Sequence, residues 1–417
     1  MVRSKMKNCM GQENKKMLRD LSSIIFGARM SIQMAKDEIK EICTENENLE
    51  VKDHYIGNET ASALSDVEME DDGLDEIYAL SVVNKQDNGE DEIYGEHEIQ
   101  ECECQEETNF SQYFQHCDKD HNKYISIDEF SLEHLPKALS DSIFYDYIKF
   151  IADLTVRVDV KMTSPRRPEV WQRTKNVKYP SYDLRGKTNL RTGTGIVSLI
   201  YRFTNGIRNS GGRYEKKHTK CWCRKCQHSE IPSSMWWEFD VDTASHVVFD
   251  ETEADNTSVL LFYDRKESQN VIVDTVTFKY SEVCNYNDRC YLQCVTCDES
   301  LGKKLDTVWK QFHRKFSTTA LTNYINSTRV LENFMFIVSH PHGSPKMISI
   351  GQWKDKIHKT SGQFQFTYTA STCRGSSGAC VVCLGYTGLL SHLTHRGTRT
   401  NLRLNHSGTG HFLKYKV

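Results

Sequence analysis

"TCRGSSGAC", residues 372–380, sets two glycines and two serines between cysteines. Glycine and serine crowd into loops for conformational reasons alone, so the run decides nothing until other residues join it. Two stretches upstream do so. "DVDTASHVVFD" (240–250) puts His246 after a small-residue turn at the end of an apparent strand, and "NDRCYLQCV" (287–295) puts Asp288 at the head of another. The order along the chain is histidine, aspartate, serine, at intervals of 42 and 89 residues. A serine hydroxyl becomes a strong nucleophile when a histidine takes its proton and a carboxylate orients that histidine. His246, Asp288 and Ser377 are therefore the candidate catalytic residues. Asp298 in "CVTCDES" and Asp264 in "LFYDRK" are other carboxylates at strand edges.

The sequence around these residues reads as β structure. "TGIVSLIYRF", "SVLLFYD", "VIVDTVTF", "CYLQCV", "MFIVSH" and "MISIGQW" are short apolar or alternating runs separated by Gly, Asn and Asp turns. That pattern predicts a barrel or sandwich of antiparallel strands.

From about Thr188 to the C-terminus the chain resembles the trypsin-like serine proteases with the chymotrypsin double β-barrel. "RTGTGIVSLI" is similar to the strand opening the first barrel, "TASHVV" to the histidine motif, "NDRCYLQC" to the aspartate strand and "GSSGA" to the nucleophile loop. "VSHPHGSPKMISIGQW" resembles a His-Pro-x-Gly stretch of the bacterial and intracellular branches. The resemblance implies that Ser377 attacks a peptide carbonyl and that His246 relays its proton. It further implies that Asp288 holds the imidazole, and that the amides of Gly375 and Ser377 form the oxyanion hole. The family's pocket-base position would be Ser371, and an uncharged residue there argues against cleavage after Arg or Lys. Cys380 stands where the family usually has proline, placing a thiol near Ser377 where oxidation could block the site. The alternative is a pseudoprotease scaffold in a non-enzymatic calcium sensor or interaction protein.

"DKDHNKYISIDEF" (118–130) supplies a second chemistry. Asp118, Asp120 and Asn122 offer side-chain oxygens, Tyr124 its backbone carbonyl, Ser126 a water-mediated contact and Glu129 a bidentate carboxylate, at the six positions of a calcium loop. The stretch resembles an EF-hand, with helices expected before Cys117 and from Phe130 onward. Lys123 occupies the sixth position, usually glycine, and a side chain there is expected to weaken binding. "DNGEDEIYGEHE" from Asp87 is at best a degenerate pairing partner; otherwise the helix containing Phe144, Tyr147, Ile148 and Ile151 covers the hand's apolar face.

"HTKCWCRKCQH" gathers Cys221, Cys223, Cys226 and His228, soft ligands that could take Zn2+. The spacing equally allows a disulfide or plain thiols.

The remaining sequence sets the domain plan. Residues 1–48 contain an amphipathic helix whose apolar stripe runs from Leu18 to Ile42, and residues 17–43 could mediate self-association. Residues 49–107 read as an acidic, disordered linker. Residues 45–107 hold 22 Asp or Glu against two Lys, so the remainder of a chain of net charge −4 is basic, and the linker could dock on it. Residues 108–158 would be the EF-hand and a following helix, and 159–417 the β-barrel domain. No export signal or long apolar run is seen, which predicts an intracellular, cytoplasmic protein whose fifteen cysteines are reduced unless they hold metal.

Overall fold

The computed structural model describes residues 100–102, 105–106, 117, 119–171, 177–209, 218–283, 288–316, 333–358, 363–384, 393–399 and 404–411. The expected N-terminal helix, and all of the acidic linker except two short segments, lie outside them.

The described residues are mostly β and form two curled antiparallel sheets. The first contains β1 (Thr155–Val160), β2 (Arg191–Thr204), β3 (Met235–Thr243), β4 (Thr257–Leu261), β5 (Val271–Val273), β6 (Val276–Val283) and β7 (Asp288–Thr296), in the order β6-β7-β3-β2-β1-β4-β5. Its two ends approach each other, β6 meeting β4 and β7 meeting β5. The second contains β8 (Phe334–Ser339), β9 (Met347–His358), β10 (Gln363–Tyr368), β11 (Val381–Cys383), β12 (His395–Arg399), β13 (Leu404–Ser407) and β14 (Gly410–His411). Its path is β12-β13-β10-β9-β8-β11, and β14 also pairs with β10. The bridge between Cys380 and Thr394 joins the β11 and β12 ends, so this sheet closes on itself. Closure removes the exposed edges that an open sheet would present.

Among the described residues four α-helices accompany the sheets: α1 (Ser142–Leu154), α2 (Arg224–Gln227), α3 (Glu251–Asp255) and α4 (Glu299–Lys315). Asp141 caps α1 by accepting from the Phe144 amide at 2.9 Å, and Asp298 caps α4 by accepting from Leu301. Phe144, Tyr147, Ile148 and Ile151 on α1 are all buried; Phe144 packs on Phe334 and Phe336 of β8, and Tyr147 on Phe312 of α4 and on Phe316 just past its end. The helix expected to cover an EF-hand thus fills the main core. The expected boundary at 158/159 falls inside β1, which is flanked by β2 and β4.

Two segments of the presumed linker are strands as well. Gln100–Cys102 pairs with β12, and Gln105–Glu106 with β2. Composition alone reads them as disordered because the pairing partners lie far along the chain. No helix among the described residues is long and apolar enough to cross a membrane.

Candidate functional site

The end of β3, the start of β7 and the loop between β10 and β11 bring His246, Asp288 and Ser377 into one region. The turn after β3 is closed by Val247 and Val248 amides donating to Ala244 O, and it presents His246 to the first residue of β7. His246 Nδ1 donates to Asp288 Oδ2 at 2.5 Å. The other carboxylate oxygen, Oδ1, accepts from Ser245 Oγ at 2.7 Å and from the His246 amide at 3.1 Å. Burial opposes charge on Asp288. His246, Arg396 and the Ser245 hydroxyl more than offset this and hold the carboxyl well below the usual range. The two competing carboxylates have other work: Asp298 caps α4, and Asp264 lies 2.9 Å from the buried ammonium of Lys346.

Ser377 is seated by backbone contacts. Its carbonyl accepts from the Thr194 amide at 2.8 Å, and the Gly378 amide donates to His395 O at 2.9 Å. Gly378 has φ +86°, and a Cβ there would lie 2.2 Å from Thr194 O and 2.9 Å from the Ala244 amide. The Ser377 loop is thereby pressed onto the turn that carries His246, and only glycine allows it. Residues 373–376 form a tight turn, with Ser376 N donating to Cys373 O at 2.9 Å and Gly375 at φ +96°. Among the described residues the amides of Gly375 and Ser377 have no intramolecular acceptor, while those of Ser376 and Gly378 between and beyond them do. Alternation of this kind leaves two donors for an oxygen outside the chain.

His246 and Ser377 are fully buried. Among the described residues His246 Nε2 and Ser377 Oγ find no hydrogen-bond partner. Trp171 packs edge-on against the imidazole, and the Arg396 guanidinium stacks 4.2 Å from the Trp171 ring centre.

Sequence reading missed the group that holds the histidine turn. Glu253 on α3 accepts from Arg167 at 2.6 and 2.7 Å and from Arg191 at 2.8 Å, with all three side chains inaccessible. Arg167 also donates to the His246 carbonyl at 3.0 Å, and Arg191 to that of Val247 at 3.0 Å. Burial raises the Glu253 pKa, but the two arginines win and bring it to about 2. These residues are scattered over 86 positions. No local pattern singled them out, since each stands in a polar stretch of sequence.

Cys380 is buried, and that burial pushes its thiol up to about 12. The expected oxidation-prone thiol is instead a protonated core residue. Ser371 lies half-buried between β10 and the glycine turn. Two clefts stand out among the described residues, one beside Cys223 and Cys297 and one beside Asp128 and Asp264; Ser371 lines neither.

The 118–130 loop does not take the shape of an EF-hand. Asp118 and the expected entering helix lie outside the described residues. Residues His121–Lys123 form a 3-10 turn capped by Asp120, whose Oδ1 accepts from the Asn122 amide, so Lys123 avoids the left-handed conformation expected at the sixth position. Tyr124–Ser126 is a strand on β9, with Ile125 opposite Ile348 where a second calcium loop would pair. Ser126 Oγ donates to Glu129 Oε2 at 2.8 Å. The expected exiting helix from Phe130 is replaced by two 3-10 turns on either side of Pro136, and α1 begins only at Ser142.

The expected zinc set is changed in one member. Cys221, Cys223 and Cys226 do converge, but His228 is exposed at the end of α2, and the fourth group is Cys297, which follows β7. Cys223 and Cys297 sulfurs are 3.6 Å apart. "CVTCDES" contained that ligand, but its neighbour was visible only once β7 was paired with β3.

No protein-family model and no curated protein matches the chain. Solved structures similar to it include the active form of the Rv3671c protease from M. tuberculosis, at 11% identity over 66% of this chain and 82% of that one, with a TM-score of 0.31. The HtrA-type protease AlgW with a decapeptide is 12% identical over 64% of this chain and 62% of its own, TM-score 0.31. Deg5 is 10% identical over 67% and 91%, TM-score 0.31. Likeness of this degree assigns no family. The architecture stands on the strand pairing above.

Proposed function

We propose that the chain is a serine endopeptidase of trypsin-like architecture, with Ser377 as nucleophile, His246 as general base and then acid, and Asp288 as the group that fixes the imidazole. The observation carrying this reading is the buried Asp288–His246 pair. Asp288 accepts a hydrogen bond from Nδ1–H, which leaves Nε2 as the basic nitrogen, and Ser377 sits in the loop pressed against the same turn. Leaving two buried polar atoms, Nε2 and Oγ, without partners costs stability, and such cost is tolerated where a reaction uses the groups. Gly375 and Ser377 amides supply the donors for the oxyanion. The substrate is a peptide or protein.

The complete burial of His246 and Ser377, with Trp171 packed edge-on against the imidazole, favours a second reading, a pseudoprotease scaffold. A fluorophosphonate probe separates the two. Labelling that disappears in Ser377→Ala establishes the enzyme, and labelling gained only in Trp171→Ala establishes an enzyme covered by its own chain. No labelling of folded protein in either background establishes the scaffold. Calcium at 118–129 draws support only from the loop's oxygen-bearing residues. Zinc at Cys221, Cys223, Cys226 and Cys297 draws support from four sulfurs within 4.8 Å, and loss of bound zinc in Cys297→Ser tests it.

A further inference from the structure

Four soft ligands converge where the sequence suggested calcium. Cys117 and His121 precede the short strand on β9, His342 lies in the 3-10 turn after β8, and Cys373 immediately precedes the glycine turn. Cys117 Sγ is 3.7 Å from Cys373 Sγ, Cys373 Sγ is 3.4 Å from His121 Nε2, and His121 Nε2 is 3.4 Å from His342 Nε2. All four ligand atoms lie within 4.8 Å of one another. A tetrahedral zinc ion with Zn–S of ~2.3 Å and Zn–N of ~2.0–2.1 Å places sulfurs ~3.8 Å apart, nitrogens ~3.4 Å apart and mixed pairs ~3.6 Å apart. The three observed edges agree with those values to within about 0.2 Å.

The backbone supplies a separate indication. His342 is held at φ +54°, in the left-handed region that its Cβ disfavours. Strain of this kind persists where surrounding interactions fix the residue, often at a ligand clamp. Turning His342 this way directs its Nε2 to His121.

We propose that Cys117, His121, His342 and Cys373 bind one zinc ion. Binding releases the two thiol protons, and the two thiolates neutralise the ion's charge. Since the protein fills all four positions, the site is structural and leaves no place for a hydrolytic water. Its position gives it a second consequence. The His342 amide donates to Arg374 O at 2.5 Å, and a Cβ on Gly375 would lie 2.4 Å from His340 O and 3.0 Å from the His342 amide. His342 and Cys373 thus belong to the two walls of the turn presenting the Gly375 amide, and the metal ties those walls together. Through Cys117 and His121 it also fastens the 117–126 segment to them. The four ligands are positioning residues for that turn; this consequence rests on the proposed oxyanion role of Gly375, whereas zinc binding does not.

Zinc content and zinc-edge X-ray absorption of the purified full chain test the site without any substitution. With both cysteine clusters filled, about two zinc ions per chain are expected, with an average shell of roughly three sulfurs to one nitrogen. With this site alone filled, about one ion with roughly equal sulfur and nitrogen is expected. A sulfur-only shell, or no zinc, overturns the proposal. His121→Ala should remove the nitrogen-ligated ion and Cys221→Ser should leave it; the reverse pattern also overturns it. In a peptide assay His121→Ala should lower kcat by about 10²-fold with KM little changed, the pattern of a disturbed oxyanion turn. An unchanged kcat after loss of that ion overturns the positioning role. A chain that holds this zinc but hydrolyses no peptide retains the metal site and loses only the protease reading.

Discussion

The two sides of the site are held by different forces. The His246 turn hangs from buried charge: Glu253 binds Arg167 and Arg191, and these arginines hold the carbonyls of His246 and Val247. The Ser377 loop is held by close backbone packing, with Gly375 and Gly378 at positive φ where a Cβ would strike neighbouring main chain. Charge can be titrated or removed one partner at a time, and the penalty falls on whatever stays behind. Packing fails when a single carbon is added. The contrast predicts that one side is sensitive to acid and the other to volume.

Four changes test this contrast. Glu253→Gln leaves two buried guanidinium groups without their carboxylate, and should cost about 3–5 kcal/mol of unfolding free energy in a urea titration. An unaltered midpoint would show that the arginines find other acceptors. On the opposite side, Gly375→Ala should lower kcat by about 10²–10³-fold and cost about 1–3 kcal/mol of stability, because the added Cβ meets main chain and displaces one donor amide. Equal loss in kcat and stability would show that the turn is structural first. Acid titrates the charged side directly. The Glu253 carboxyl titrates at about 2 when folded and at 4.5 when unfolded, so its contribution is complete above pH 4.5 and is lost as pH falls towards 2. That contribution is on the order of 3 kcal/mol, and Glu253→Gln should flatten the acid limb of the stability profile by that amount. The smallest effect is expected from calcium. Adding it should leave Tm unchanged within about 1 °C, since among the described residues no α-helix follows the loop before Ser142. A clear rise in Tm would restore the calcium reading.

The legible part of the fold was the part written in local pattern. "MFIVSH" and "CYLQCV" announce β8 and β7 through their apolar runs, and the order of His246, Asp288 and Ser377 was visible because small residues and strand ends punctuate it. The EF-hand expectation finds no support in the described residues. Its ligand oxygens are a local pattern too, whereas Ile125 lies in a strand paired with β9, a long-range contact that no local motif reports. Cys297, Glu253 and the partnership of Cys117 with Cys373 were illegible because each depends on a contact across dozens to hundreds of residues. Glycine at 375 and 378 was readable as a turn, whereas the atoms that forbid a side chain there were not.

The place of β1 carries a consequence for the smallest unit that can work. β1 bridges β2 and β4 in the first sheet, and Arg167 lies in the segment that follows it. A fragment starting at Thr188 would possess His246, Asp288 and Ser377 and yet be cut through its first sheet. Two strands would be left with unpaired edges that serve as templates for intermolecular pairing. The natural boundary of the working part therefore lies well upstream of its recognisable motifs.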